Sequence, residues 1–185
     1  MKKVNVEIEG TSPLLMNNPQ VMIDESMGEK EGQIGKRTKS KKQMKKDADK
    51  LAYKKSDGTL YIPAEAIKGA ILNASSWKKI GKHSAKQILA SALRIQPEQV
   101  SLKKKSYTYD IRTVVIQRNR IVKFRPRVEK WKVSFELWWD ESLISSPDLV
   151  KPILVEAGQR IGLLDFRPQK TGPFGCFKIN KFESK

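Results

Sequence analysis

The chain has 185 residues and a formal net charge of +17, from 37 Lys or Arg against 20 Asp or Glu. This length fits a single domain with a core of its own. A single cysteine, Cys176, excludes an internal disulfide, and one cysteine with one histidine cannot supply the four ligands of a Cys/His zinc site. We find no N-terminal signal segment and no run of about 18 apolar residues, so we expect a cytoplasmic protein.

The positive charge predicts the kind of partner. An excess of this size repels itself in the folded protein and favours a polyanion that neutralises it, of which nucleic acid is the commonest. A membrane surface is a weaker alternative, because the sequence has no basic amphipathic helix with a Trp/Leu face. A cationic solubility strategy is the remaining alternative.

The N-terminal segment alternates in polarity, with Val4, Val6 and Ile8 on one side, which predicts a half-buried strand over residues 3–9. A lysine-rich segment over residues 24–56 follows. Its apolar residues are too sparse to bury, so we expect a flexible inserted loop with local helix around residues 41–50. Its charge favours a polyanion-gripping arm over a merely solvated face. The candidate contacts in it are Lys36, Arg37, Lys41, Lys42, Lys45 and Lys46.

The next segment predicts two helices. Pro63 suits a first helical turn, and the helix over residues 64–79 would bury a stripe of apolar residues at three-and-four spacing. That stripe is Ile67, Ala70, Ile71, Ala74 and Trp77. A shorter helix over residues 84–93 follows, and Pro97 closes it.

The last third of the chain is mostly β. Residues 111–117 and 120–125 predict a hairpin with a basic tip, and Pro126 interrupts it. Residues 131–139 alternate as a strand. A helix runs from Pro147 to residue 161, a loop covers residues 162–175, and Phe177, Ile179 and Phe182 mark a final strand.

Without the insertions, the order is β, α, β-hairpin, β, α, β. This order predicts an α+β, ferredoxin-like fold: an antiparallel sheet with helices on one face, the plan of RNA-recognition modules. The polar sides of the first strand and of the 131–139 strand present Lys, Asn, Ser and Glu and lack the aromatic pair that stacks bases. We therefore expect loops and insertions, and not the sheet face, to bind the ligand.

Three segments resemble the RAMP superfamily, the repeat-associated proteins that form the RNA-binding backbone of CRISPR effector complexes. They are YIPAEAIKGA at residues 61–70, GLLDFRPQKTGPFG at residues 162–175 and GTSPLL at residues 10–15. The opening is also similar to that of small uncharacterised phage and prophage proteins. The resemblance covers both ends and the first helix, and it implies one RAMP-like domain over residues 1–185.

The resemblance implies binding of single-stranded nucleic acid, with side-by-side assembly on it. It places Lys68 near a helix N-terminus close to a phosphate, and Arg167 and Lys170 in the loop beside it. Helix N-termini and cations favour phosphate on physical grounds as well. The alternative is that Gly69 permits close helix packing and that the loop glycines only make turns.

The basic hairpin over residues 107–127 is the second candidate site. Its cations are interleaved with aliphatic residues and neighbour Tyr107, Tyr109 and Phe124, a mixture that suits single strands. In RAMP proteins a comparable insertion acts as a thumb that enters the bound strand. The alternative is an ordinary hairpin with a charged face. The candidate contacts are Arg112, Arg118, Arg120, Lys123, Arg125 and Arg127.

No catalytic centre is evident. His83 is the only histidine and lies in a basic turn typical of a surface residue, and Asp165 suits an ion pair. Asp24 and Glu25 lie in the insertion, where RAMP backbone subunits sometimes carry a cleaving aspartate. We predict a non-enzymatic protein without cofactor or metal that grips the backbone of single-stranded RNA or DNA with little sequence specificity. The alternatives are a guide-processing endoribonuclease and a phage protein that engages a host complex.

Overall fold

A computed structural model describes residues 1–20, 40–116 and 118–184. The candidate contacts Lys36 and Arg37, together with Asp24 and Glu25, lie outside the described residues. In chain order the strands are β1 (Lys2–Gly10), β2 (Leu14–Leu15), β3 (Tyr61–Pro63), β4 (Lys79–Ile80), β5 (His83–Ser84), β6 (Leu93–Gln96), β7 (Gln99–Ser101), β8 (Thr108–Ile116), β9 (Asn119–Val128), β10 (Lys132–Trp139) and β11 (Phe177–Ser184). The α-helices are α1 (Lys41–Lys50), α2 (Ala64–Ala74), α3 (Ala85–Ala92) and α4 (Lys151–Glu156).

The main sheet is antiparallel and has the strand order β11-β1-β10-β6. One side chain in two along β1 and β10 points into the core, because successive residues of a strand face opposite sides. Val4, Val6 and Ile8 of β1 are fully buried there, as the alternation predicted. They pair with a similarly buried row on β10, so the two central strands form the floor of the core.

The helices α2 and α4 cover the inner face of this sheet. Helix α2 buries Ile67, Ala70 and Ile71, and α4 buries Ile153 and Leu154 before it continues into a π-helical turn. The order β1-α2-β6-β10-α4-β11 is the split βαβ plan, which confirms the predicted ferredoxin-like α+β fold. No helix in the described part of the chain is long and apolar enough to cross a membrane.

The second strand of the βαββαβ plan differs from the sequence prediction. We expected the basic hairpin to occupy this position, but β6 occupies it and begins at Leu93, where we expected a helix to end. Leu93 and Ile95 are buried while Arg94 is exposed. This alternation lasts only four residues and follows α3 without a break, so the periodicity of the helix masks it.

The hairpin β8–β9 instead forms a three-stranded sheet with β2. It spans nearly the predicted residues 107–127, but its strands extend beyond the predicted runs 111–117 and 120–125, and Pro126 does not interrupt it. Pro126 pairs with Tyr109, and its carbonyl accepts a hydrogen bond from the Met16 backbone N–H at 2.9 Å. Arg118 lies in the turn with a φ of 65°, so the basic tip is where the sequence predicted it.

Helix α1 confirms the predicted local helix in the inserted segment. Ser40 caps it by accepting a hydrogen bond from the Gln43 backbone N–H at 3.2 Å. Ala48 and Ala52 are buried, so the C-terminal part of the insertion packs against the domain. The expectation of a loose loop was therefore wrong for this part, because two small residues are enough to let a polar helix approach the hairpin.

Helix α2 ends earlier than the sequence suggested. We expected Trp77 on its buried stripe, but the helix ends at Ala74 and Trp77 is 87% exposed. The Ser75 hydroxyl donates to the Leu72 carbonyl at 2.9 Å, which competes with the helical hydrogen-bond pattern at this end. Trp77 therefore projects from the turn that follows α2.

Candidate nucleic-acid interface

The open face of the main sheet is covered by charge pairs. Three salt bridges cross between neighbouring strands: Lys3–Glu136 at 2.8 Å, Lys132–Glu7 at 3.2 Å and Lys178–Glu9 at 3.5 Å. Because each of these cations already has a carboxylate partner, the face offers little net charge to a phosphate. This arrangement agrees with the expectation that the ligand binds elsewhere.

These pairs predict an acid-sensitive fold. A hydrogen bond from Lys132 lowers the pKa of Glu7, and one from Asn180 followed by the charge of Lys178 lowers the pKa of Glu9, both from an ordinary 4.5. A carboxylate whose pKa is lowered in the folded state stabilises the fold at a pH above its ordinary pKa. This stabilisation is lost as the pH falls through the lowered folded-state pKa. We expect the melting temperature, measured by circular dichroism, to decrease when the pH is lowered from about 4.5.

The control for this prediction is the double variant Glu7→Gln, Glu9→Gln. Because it lacks both titrating carboxylates, its melting temperature should depend less on pH over the same interval. If the variant and the wild type lose stability in parallel, these two groups do not cause the acid sensitivity.

The loop over residues 162–175 has an unusually constrained backbone. Three non-glycine residues in it have positive φ, a conformation that side chains rarely adopt. These residues are Leu164 at 60°, Phe166 at 47° and Thr171 at 60°. Such conformations persist only where the surrounding structure enforces them, and they cluster at functional sites.

Hydrogen bonds join this loop to the segment after β1. The Ser12 hydroxyl accepts from the Cys176 backbone N–H at 2.9 Å, and the Pro13 carbonyl accepts from the Gly175 N–H at 2.8 Å. Two of the three segments that carry the family resemblance are therefore in direct contact, although they lie at opposite ends of the sequence.

The third segment, at the start of α2, completes a groove with the loop. This α2–loop groove has a volume of about 360 Å³ and lies beside Asn17 and Pro19. Its polar and small lining residues include Glu65, Gly69, Asn73, Asp165, Arg167 and Lys170. Sequence reasoning identified Gly69 and the two loop cations but missed Glu65 and Asn73. Their spacing of four residues about Gly69 is the signal for one shared helix face.

Gly69 and the glycines of the loop occupy different environments. A Cβ on Gly69 would meet nothing within 4 Å, so close helix packing does not explain this residue. A Cβ on Gly172 would lie 1.8 Å from the Phe166 carbonyl oxygen, and Gly175 has a φ of 75°. The loop glycines are therefore required by the turn, whereas Gly69 leaves the groove open.

The cations near the groove differ in what they already contact. Arg167 donates to the Leu164 carbonyl at 2.7 Å and to the Gln169 side chain, which holds its guanidinium beside the groove. Lys170 is exposed. Lys68 lies near the N-terminal end of α2, as expected, but its ammonium donates to the Ala90 carbonyl at 2.8 Å and the residue does not line the groove.

The base of the hairpin is anchored to the loop through its cations. Asp110, only 5% exposed, lies 2.9 Å from Arg112 and 3.8 Å from Arg127. Both guanidinium groups also lie over the Phe174 ring, at 4.9 and 5.6 Å from its centroid. Arg112 and Arg127 therefore hold the hairpin in place, and they are less available to a ligand than their charge suggests.

A second anchor joins Arg125 to Asp165. Arg125 Nε and Asp165 Oδ2 are 2.9 Å apart, with the side chains 11% and 21% exposed, but the N–H does not point at the oxygen, so the contact is chiefly ionic. Lys123 is half-buried beside this pair, and burial, followed by the charge of Arg125, lowers its pKa. The carboxylate of Asp165 is thus neutralised within the groove wall.

Helix α1 is anchored on the opposite face of the hairpin. Asp49 accepts hydrogen bonds from the hydroxyls of Tyr107 at 2.5 Å and Tyr109 at 2.6 Å, and Lys45 lies 5.5 Å from the Tyr109 ring centroid. Burial alone would raise the pKa of Asp49, but the two hydroxyls and the neighbouring lysines lower it on balance. This carboxylate therefore stays ionised and holds the lysine-rich helix against the hairpin.

The three basic segments predicted from the sequence are contiguous but do not line one groove. The loop contacts the hairpin on the face of Arg112, and α1 contacts it on the face of Tyr109. The predicted contacts that remain exposed and have no carboxylate partner among the described residues are Lys41, Lys42, Lys45, Lys46, Arg118, Arg120 and Lys170, whereas Arg112 is exposed but paired with Asp110. The hairpin thus lies between two cationic elements.

His83 is exposed in the short β4–β5 hairpin, as the sequence suggested for a surface residue. The described part of the chain contains no group of three or more His, Cys, Asp or Glu placed to hold a metal ion.

Comparisons with known proteins show a similarity in fold. No family model matches the chain, and no curated protein matches it. The structure is similar to a chain in the cryo-EM structure of the Type III-B Cmr-beta bound to cognate target RNA, with a TM-score of 0.61 and 15% sequence identity. The match covers 99% of this chain, which spans 60% of the length of that chain. At this identity the similarity establishes the fold alone.

Proposed function

We propose that this protein is a RAMP-like, non-catalytic protein that binds single-stranded RNA along its phosphate backbone. The observation that carries the proposal is that two of the resembling segments, residues 61–70 and 162–175, line one α2–loop groove, while the third, residues 10–15, is hydrogen-bonded to the loop behind it. A chain of the same fold belongs to an RNA-bound Type III-B Cmr-beta structure, which supports RNA as the ligand.

The groove has the chemistry for a sugar–phosphate backbone. Lys170 and the remaining N–H groups of Arg167 supply donors for phosphate oxygens. Glu65 and Asn73, on the same helix face, supply acceptors. A 2′-hydroxyl can donate to such acceptors, whereas DNA lacks this group. The groove therefore favours RNA over DNA of the same sequence.

The hairpin and α1 extend the contact beyond the groove. The exposed lysines of α1, among them the predicted contacts Lys41, Lys42, Lys45 and Lys46, attract phosphates without reading bases. The outer part of the hairpin exposes aliphatic side chains, with Ile111 at 51%, Val115 at 66% and Val122 at 47%. Apolar side chains next to Arg118 and Arg120 suit a thumb that enters the bound strand, with neighbouring copies assembling side by side along it.

The test is the salt dependence of binding to a labelled oligouridylate. If about four phosphates are neutralised, log K should fall with log salt at a slope of about −3, so affinity drops about 50-fold between 50 and 200 mM salt. Fluorescence anisotropy with single-stranded RNA, single-stranded DNA and duplex RNA measures this, and we expect the RNA single strand to bind best.

Two further readouts of the same mixtures separate the alternatives. We expect full-length RNA after prolonged incubation, and cleavage that disappears in His83→Ala would establish an endoribonuclease instead. We expect the particle mass to grow in multiples of the chain when longer RNA is added. A salt-independent affinity, or tighter binding of duplex, would contradict backbone binding of single strands.

A further inference from the structure

Trp77 is the most exposed large apolar side chain of the described residues, at 87%, and the proposed groove and hairpin contacts do not use it. Removal of an indole from water is strongly favourable, so an indole held in solvent on an ordered turn suits contact with a partner. Tryptophan is also the side chain on which unpaired bases stack well. We propose that Trp77 is a stacking platform for a nucleobase of the RNA strand that leaves the α2–loop groove.

The position of Trp77 relative to the groove supports this role. Glu65, Gly69 and Asn73 line the groove at intervals of four residues, and Trp77 is the next residue in that series. Hydrogen bonds continue the turn beyond the end of α2, from Ser76 N–H to the Asn73 carbonyl at 3.3 Å and from Ser75 N–H to Ile71 at 3.0 Å.

Asn73 is the last groove-lining residue of α2, and a hydrogen-bonded turn joins it to Trp77, so Trp77 lies close to one end of the groove. Four residues reach at most about 14 Å, so a short extension of the strand beyond the groove is enough to bring a base to Trp77.

The charge around Trp77 identifies the partner as an anion. The sequence contains no Asp or Glu from residue 66 to residue 97. Lys78 pairs with Glu156 at 2.7 Å, but among the described residues no carboxylate forms a salt bridge with Lys79, Lys82 or Lys86. All three lysines are exposed. An aromatic ring with unpaired cations close to it in sequence is the combination that single-stranded nucleic acid requires, because bases stack and phosphates pair.

A protein partner is the competing occupant, and the charge argues against it. A protein interface typically excludes lysine from its centre and surrounds an exposed tryptophan with apolar residues. Here the neighbours of Trp77 in the chain are Ser76 and Lys78, and the next exposed residues are lysines. The role of Trp77 depends on the proposed function, since the base belongs to the strand that the groove holds.

The experiment uses the full chain and oligouridylates of increasing length. We expect Trp77→Ala to bind the longer oligomers about tenfold more weakly, the effect of losing one base–aromatic stack, and to bind the shortest oligomer that the groove alone can hold like the wild type. Trp77→Phe should retain most of the affinity. Leu143→Ala, which truncates another exposed apolar side chain, is the matched control and should bind normally.

Intrinsic fluorescence gives a second readout. Trp131 and Trp139 are 2% and 1% exposed, and Trp138 is half-buried and donates a hydrogen bond to Glu136 on the open sheet face. Added oligouridylate should therefore quench mainly the emission of Trp77, and most of this quenching should be absent in Trp77→Phe. Equal affinity of Trp77→Ala and wild type for long RNA overturns the inference. So does a change in particle mass of Trp77→Ala without RNA, which would indicate a protein interface. If the wild type binds no single strand at all, the proposed function itself fails.

Discussion

Replacement of Gly69 by leucine is expected to weaken binding of single-stranded RNA at least tenfold without unfolding the protein. A Cβ at this position meets nothing within 4 Å, so the new side chain occupies the α2–loop groove and not the core. An RNA backbone in that groove would lose its contacts on the same helix face. Anisotropy titration with an oligouridylate at fixed salt measures the change.

Gly69→Ala is the matched control for this prediction. Alanine in a helix interior is more favourable than glycine by about 1 kcal/mol, so this variant should be more stable in urea denaturation. Its small side chain leaves most of the groove open, and its affinity should be close to that of the wild type. If Gly69→Leu also binds like the wild type, the RNA lies elsewhere on the protein.

Asp165→Asn is expected to cost about 2–3 kcal/mol of folding free energy, because it leaves the largely buried guanidinium of Arg125 without its ionic partner. Arg125 is 11% exposed and cannot regain full hydration unless the hairpin separates from the loop. Urea denaturation followed by circular dichroism measures the loss.

A salt bridge of equal length elsewhere provides the comparison. Lys2 and Glu141 are also 2.9 Å apart, but their side chains are 61% and 46% exposed. Solvent screens such a pair, so Glu141→Gln should cost under about 1 kcal/mol. Equal effects of Asp165→Asn and Glu141→Gln would show that burial does not strengthen the link between hairpin and loop.

The elements predicted well are those with long, regular patterns. Strands β1 and β10 alternate in polarity over several residue pairs, and helices α2 and α4 show helical periodicity over at least a full turn. The structure confirms these four elements. The resemblance of three segments to one family also predicted the fold, although no segment is specific on its own.

The missed strand β6 and the exposed Trp77 have the same physical origin. Local periodicity reports which residues share a face but not where a helix ends. The α3 pattern runs directly into Leu93, and Trp77 continues the α2 spacing past a helix that Ser75 helps to end. Pairing with β10 determines the first boundary, and the hydrogen bond from the Ser75 hydroxyl to the Leu72 carbonyl contributes to the second. Periodicity reports neither.

The predicted binding residues divide according to their contacts. Charge alone identified Arg112, Arg125 and Arg127 as ligand contacts, but Asp110 and Asp165, brought close by folding, pair with them. Exposed residues such as Arg118 and Lys170 keep their charge available because no such carboxylate was found beside them in the described part of the chain. Net charge is additive along a sequence, whereas pairing depends on distances.

The sequence by itself determined the ferredoxin-like plan, the basic character and the segments that build the groove, because periodicity, composition and short motifs are local properties. Only the tertiary structure decided that two of the three segments line one α2–loop groove while the third supports the loop. It also decided that the hairpin forms a second sheet between the loop and α1, and that Gly69 opens the groove instead of packing. Those features arise from contacts between residues far apart in the sequence, such as Ser12 with Cys176 and Asp49 with Tyr109, and no local pattern encodes such distances.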